Sequence, residues 1–119
     1  MEIDWECTSG YTLLNATIDN VTLPPNLKVL KLTFFNARGR LPVFPETLEI
    51  LNIDYNRFRG PLVLPSQIKS IDIAYNQFNG SIPLLPASIE HFGAFDNIFS
   101  GPIPQLSHTS LKSFEISSN

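Results

Sequence analysis

The chain has a single cysteine in 119 residues, so no internal disulfide framework can hold it together. It has little charge of either sign. Charged residues make up 16%, against roughly 25% in an average soluble domain, and 43% are hydrophobic, which excludes a disordered tail. Long helices lack room, because ten prolines and six glycines place a helix breaker about every seven residues. A helical bundle is therefore excluded. No apolar run approaches the ~18 residues of a membrane span. The acidic start, Met1-Glu2-Ile3-Asp4-Trp5, lacks the basic and apolar regions of a signal peptide, so no export signal is visible. A net charge of −3 and a pI near 5.2 argue against a nucleic-acid partner, which calls for a basic face. No GxxxxGK[ST] loop, HExxH, GxSxG or paired CxxC occurs, so the stronger catalytic and metal signatures are missing and no cofactor is implied.

What the chain has is a repeat. Segments beginning at Leu27, Leu48, Ile68, Ile89 and Leu111 share one apolar pattern, and their starts lie 21, 20, 21 and 22 residues apart. Downstream of three of them the pattern continues as Asn56-x-Phe58-x-Gly60-x-Leu62, Asn76-x-Phe78-x-Gly80-x-Ile82-Pro83 and Asn97-x-Phe99-x-Gly101-x-Ile103-Pro104. The first full copy is weaker, with Phe35 in the asparagine place and Ala37 in the phenylalanine place. Alternate apolar residues predict a short strand in each repeat, and one repeat cannot close a core until a neighbour stacks on it. All ten prolines fall outside the predicted strands, where a missing N–H would break the ladder.

Residues 23–119 resemble the leucine-rich repeat (LRR) family, LxxLxLxxNxFxGxIP, in the variety common in plant receptor ectodomains and cell-wall inhibitors and similar to surface antigens of some protozoa. The resemblance implies a right-handed α/β-type solenoid, here nearly helix-free. It would carry one parallel sheet on the concave face, extended and 3₁₀ turns on the convex side, and an internal asparagine ladder. On this reading 23–119 is an array of about four and a half repeats, and 1–22 is a cap-like segment with a degenerate first repeat in which Gly10 and Thr12 take the strand places. Trp5 and Cys7 resemble the end of a plant-type cap, without the usual intervening glycine or a second cysteine. A missing disulfide partner and a buried, reduced thiol in a cytosolic chain both remain readings of Cys7. The array stops in mid-repeat at Asn119, which predicts a single domain cut from a longer solenoid.

Counting each repeat from its first Leu or Ile, position 2 holds Lys28, Glu49, Lys69, Glu90 and Lys112, with alternating sign. Strands stack about 4.8 Å apart, so this row penalises a one-repeat slip and reads as a register device. Positions 3, 5, 7 and 8 share the expected concave surface. Position 8 holds Phe34, Tyr55, Tyr75 and Asp96, and around them lie Asn52, Asp54, Asp72, His91, Phe95 and Glu115. Exposed aromatics give large contact area at low entropic cost, so this set reads either as a recognition patch for a basic peptide or protein, or as a stack that stiffens the spine. His91 reads as an ordinary exposed histidine, because no second ligand type clusters with it. All four arginines, Arg38, Arg40, Arg57 and Arg59, fall at positions 10 to 14 and build a basic flank, either simply solvated or able to take an anionic glycan. Three sequons occur, at Asn15, Asn20 and Asn79, a modest excess over chance, and Asn79, at position 12 on the flank of its repeat, fits an exported solenoid.

The expectation is a non-enzymatic protein-binding module at the cell surface or outside the cell. A cytoplasmic chain is the alternative location. The functional alternatives are an architectural spacer and a carbohydrate-active protein using Asp54 and Asp72 as a carboxylate pair.

Overall fold

The computed structural model describes residues 2–6, 22–33 and 36–119. Cys7, Asn15, Asn20 and Phe34 lie outside the described residues. The chain winds as a parallel-strand β-solenoid of about four coils, and no helix occurs among the described residues. Six strands form the main sheet in the order β1 (Glu2–Glu6), β2 (Val29–Thr33), β4 (Ile50–Asn52), β6 (Ser70–Asp72), β8 (His91–Gly93) and β9 (Ser113–Glu115). Register is kept from coil to coil, with Leu30, Leu51, Ile71, Phe92 and Phe114 on one level.

Period-2 alternation decides which side chains turn inward. Leu30, Leu51, Ile71 and Phe92 are buried, as are Ile53 and Ile73 two places on, while the residues between them face outward and are only partly covered. Leu27, Leu48, Ile68 and Ile89 close each coil from below at 0% exposure. Full burial of one such side chain stabilises by about 1.5–3 kcal/mol, and each coil meets only its neighbours, so stability accumulates along the stack.

Prolines and glycines supply the corners. Pro24, Pro45 and Pro86 each lend a carbonyl to the N–H three residues on, at Leu27, Leu48 and Ile89 (3.1 Å each), so a residue without an N–H starts the turn that launches the next strand. At the opposite corner Gly39, Gly60, Gly80 and Gly101 all have positive φ, from 76° to 104°, a region that only glycine enters without strain.

Asparagine holds the coils to one another. Asn56 Nδ2 donates to Leu32 O of the coil before (2.6 Å) and to Ile53 O of its own coil (3.0 Å), while its Oδ1 accepts from Ala37 N (2.9 Å). Asn76, Asn97 and Asn119 repeat the arrangement, taking N–H groups from Phe58 (3.0 Å), Phe78 (3.0 Å) and Phe99 (3.2 Å). A primary amide is the one neutral side chain that can donate twice and accept at once, which is why the four repeats from Leu48 onward carry it at this place. Phe58 and Phe78 fill the space beneath at 0% exposure, and Phe78 stacks on Phe99 at 6.3 Å.

Two expectations are corrected. Among the described residues there is not one sheet but two: β3 (Arg38–Gly39), β5 (Arg57–Gly60) and β7 (Gln77–Phe78) form a second parallel sheet of three strands. In each of these coils the Oδ1 of the next coil's asparagine takes a backbone N–H, at Ala37, Phe58 and Phe78, and successive copies lie extended side by side. No 3₁₀ segment occurs among the described residues, and the connections there are extended segments and hydrogen-bonded turns. The strand beside β2 is β1, with Glu2↔Val29 through Glu6↔Thr33 in register, while Gly10 and Thr12 lie outside the described residues. Ile3 and Trp5 are themselves an apolar pair two residues apart, the strand pattern used by every later coil.

Candidate functional site

The outward face of the main sheet gathers the residues singled out from the sequence, and its geometry starts from the backbone at position 8. Tyr55, Tyr75, Asp96 and Ser118 all lie in the left-handed region, with φ of 57°, 55°, 54° and 60°. The chain must swing there to aim the following asparagine inward. Such a conformation costs an L-residue roughly 1–2 kcal/mol, least for Asn and Asp, so two tyrosines in this place are notable. Their rings stack at 4.3 Å and 14°, and Phe95 meets Tyr75 edge-on at 5.2 Å. Tyr55 remains 44% and Tyr75 38% exposed, so the stack is open to solvent on one side. Desolvation, then a hydroxyl hydrogen bond with Tyr55, hold the Tyr75 phenol above its ordinary range.

Beside the rings lies a polar cluster. Asp54 accepts the Ala74 N–H (2.8 Å), and Asn52 Oδ1 accepts the Asp54 N–H (3.2 Å). Burial, and then the negative charge of Asp72, push the Asp54 carboxyl up from 3.8 to about 6. Asp72 is itself held, its Oδ1 lying 3.0 Å from His91 Nε2. Gly93, on the strand next to Asp72, makes room for this pair: a Cβ there would fall 2.5 Å from Asp72 Oδ1 and 3.2 Å from His91 Nε2. The glycine is thus a spatial requirement, with no positive φ involved.

Asn52, Asp54, Tyr55, Asp72, Tyr75, His91 and Phe95 therefore form one connected surface. Asp96 and Glu115 are exposed at its far end, Asp96 at the tyrosine level and Glu115 opposite Gly93. No group of three His, Cys, Asp or Glu suited to a metal ion occurs among the described residues. Sequence reasoning missed Gly93 and the pairing of His91 with Asp72. A glycine inside a strand otherwise rich in side chains was the available signal.

The remaining candidates lie elsewhere. Arg38, Arg40, Arg57 and Arg59 are exposed on and beside the second sheet, with Arg38 opposite Arg57. Asn79 is exposed just after β7. The alternating row is only partly paired, through Lys69–Glu49 (3.4 Å) and Lys112–Glu90 (3.5 Å), and as exposed pairs each is worth at most about 1 kcal/mol. His108 caps Leu85 O at 2.7 Å, a structural contact between coils. No helix among the described residues is long and apolar enough to cross a membrane. Comparison with protein-family models and with curated proteins gave no match.

Proposed function

We propose that this chain is a non-enzymatic recognition module of the leucine-rich repeat type, binding a basic segment of a protein or peptide on the outward face of its main sheet. The single observation that carries the reading is the pair of exposed tyrosines in left-handed backbone. Asp96 and Ser118 occupy the same place in later coils, so the corner itself does not require an aromatic ring. Strain kept where folding has no need of it points to a binding role. The chemistry fits a Lys or Arg side chain, since stacked tyrosine faces attract cations and Asp54, Asp72 and Asp96 supply negative charge alongside. The LRR assignment is supported by the in-phase 20–22-residue pattern and the asparagine ladder. An exposed sequon at Asn79 supports placement at the cell surface or outside the cell.

An arginine-rich peptide titrated by fluorescence tests the proposal. The Tyr55→Asn/Tyr75→Asn variant keeps residues that tolerate the left-handed corner, so it stays folded and loses at least tenfold in affinity. Undiminished binding by the folded variant rejects the proposal. One observation favours a second reading: a carboxyl raised to about 6 beside a second carboxylate is the arrangement that acid–base hydrolysis uses. Polysaccharide cleavage abolished by Asp54→Asn would establish that reading instead.

A further inference from the structure

We propose that the exposed side of the second sheet, carrying Arg38, Arg57 and Arg59, is a binding site for a linear polyanionic polysaccharide. This face is distinct from the one that carries the tyrosines. Burial alternates along β5, so Arg57 and Arg59 point to the same side while Phe58 and Gly60 turn inward. Two residues of a strand span about 6.6 Å, and neighbouring strands lie about 4.8 Å apart, so Arg38 opposite Arg57 completes a small grid of guanidinium groups. Arg40 adds to it. Its stem lies over Gly60, with Cγ 3.4 Å from where a Cβ would be, so the glycine provides a flat bed for that side chain.

Charge pairing separates this cluster from Lys69 and Lys112. Among the described residues, ion pairs join Lys69 to Glu49, Lys112 to Glu90 and His91 to Asp72, and none engages Arg38, Arg57 or Arg59. The carboxylates Asp54 and Asp72 stand on the main sheet instead. A chain of net charge −3 thus places all four of its arginines within two coils of one flank. Guanidinium groups in fixed register suit repeated sulfate or carboxylate groups.

The surroundings decide among polyanions. Phe58 and Phe78, the aromatic residues of this sheet, are fully buried, so among the described residues the sheet offers no platform on which bases could stack. On the adjoining strand the exposed neighbours are Gln77 and, just beyond it, Asn79, side chains that hydrogen-bond sugar hydroxyls and offer nothing to acyl chains. An open strand face also favours an extended chain over a small anion.

The test uses the 119-residue chain with a heparin oligosaccharide as the sulfated probe and polygalacturonate as the carboxylated one. Duplex DNA and phosphatidylserine vesicles represent the competing classes. Binding to at least one polysaccharide is expected, weakening with salt at a slope of about 2–3 in log K per log unit, as release of roughly three counterions requires. Arg57→Gln/Arg59→Gln loses at least tenfold and Arg38→Gln about threefold, while Lys69→Gln, Lys112→Gln and the tyrosine double variant bind as the parent does. Sulfated-only or carboxylate-only binding identifies the anion. Failure to bind either polysaccharide, equal or tighter binding of DNA or vesicles, or arginine variants that bind unchanged would overturn the proposal. Should the double variant misfold, the Arg38→Gln result decides alone.

Discussion

Replacing Asn76 by alanine probes the device that holds the coils together. Four hydrogen bonds go: Nδ2 to Ile53 O (2.9 Å), Ile73 O (3.2 Å) and Ala74 O (3.2 Å), and Phe58 N to Oδ1 (3.0 Å). The three carbonyls keep other donors, because Ile53 O still accepts from Asn56, Ile73 O from Asn97, and Ala74 O from the Tyr55 N–H. The Phe58 N–H has no such replacement and is left buried. An orphaned buried donor costs about 1–3 kcal/mol and each weakened bond a further ~0.5, so the loss is about 3 kcal/mol, read from urea denaturation followed by circular dichroism. Asn76→Asp keeps the acceptor for Phe58 but turns the donor into a charged oxygen facing three carbonyls, and costs more than alanine near neutral pH. Asn119→Ala, at an exposed position, costs about 1 kcal/mol. An Asn76→Ala loss under ~0.5 kcal/mol, or an equal loss at Asn119, would refute the reasoning.

The raised carboxyl of Asp54 gives a pH signature with a definite sign. The folded chain keeps this proton up to about pH 6 while the unfolded chain releases it near 3.8, so the stabilisation is complete at low pH and is lost as pH rises from about 4 through 6. Solvent contact reduces the effect to about 1 kcal/mol, and Asp54→Asn, whose amide oxygen still accepts from Ala74, removes the slope in a denaturation series across that range. Gly93→Ala forces Asp72 and His91 apart, since the new methyl falls 2.5 Å from the carboxylate. Both partners reach solvent and can turn away, so the expected loss is about 1 kcal/mol, at the low end for overpacking, with the histidine–aspartate contact absent from a crystal structure of the variant.

Much of the coil was legible because it is local and repeated. One repeat of Leu48-x-x-Leu51-x-Ile53-x-x-Asn56-x-Phe58 shows which side chains turn inward, and about four and a half in-phase repeats fix the stacking. The strand at Glu2–Glu6 was not legible, because 27 residues separate Ile3 from Leu30 where the later coils use 20 to 22. A fixed period looks for it in the wrong place. The second sheet was also hidden, since the two-residue strands Arg38–Gly39 and Gln77–Phe78 are too short to show an alternation of their own, and they pair with β5 where ladder asparagines hold the N–H groups of Ala37, Phe58 and Phe78. At the candidate site the residue types were readable from position alone. The Asp72–His91 contact was not, because it joins two repeats and depends on the empty place left by Gly93, on the same strand as His91.

The central claim is that the outward face of the main sheet recognises a cationic segment through Tyr55 and Tyr75. An amide chemical-shift titration of the labelled chain with an arginine-rich peptide tests it most directly. The account predicts saturable shifts centred on Asp54, Tyr55, Asp72, Tyr75 and Phe95, with Arg38, Arg57 and Arg59 unmoved. Shifts centred on the second sheet, or no shifts at millimolar peptide, about the weakest affinity that specific binding would show, would contradict it.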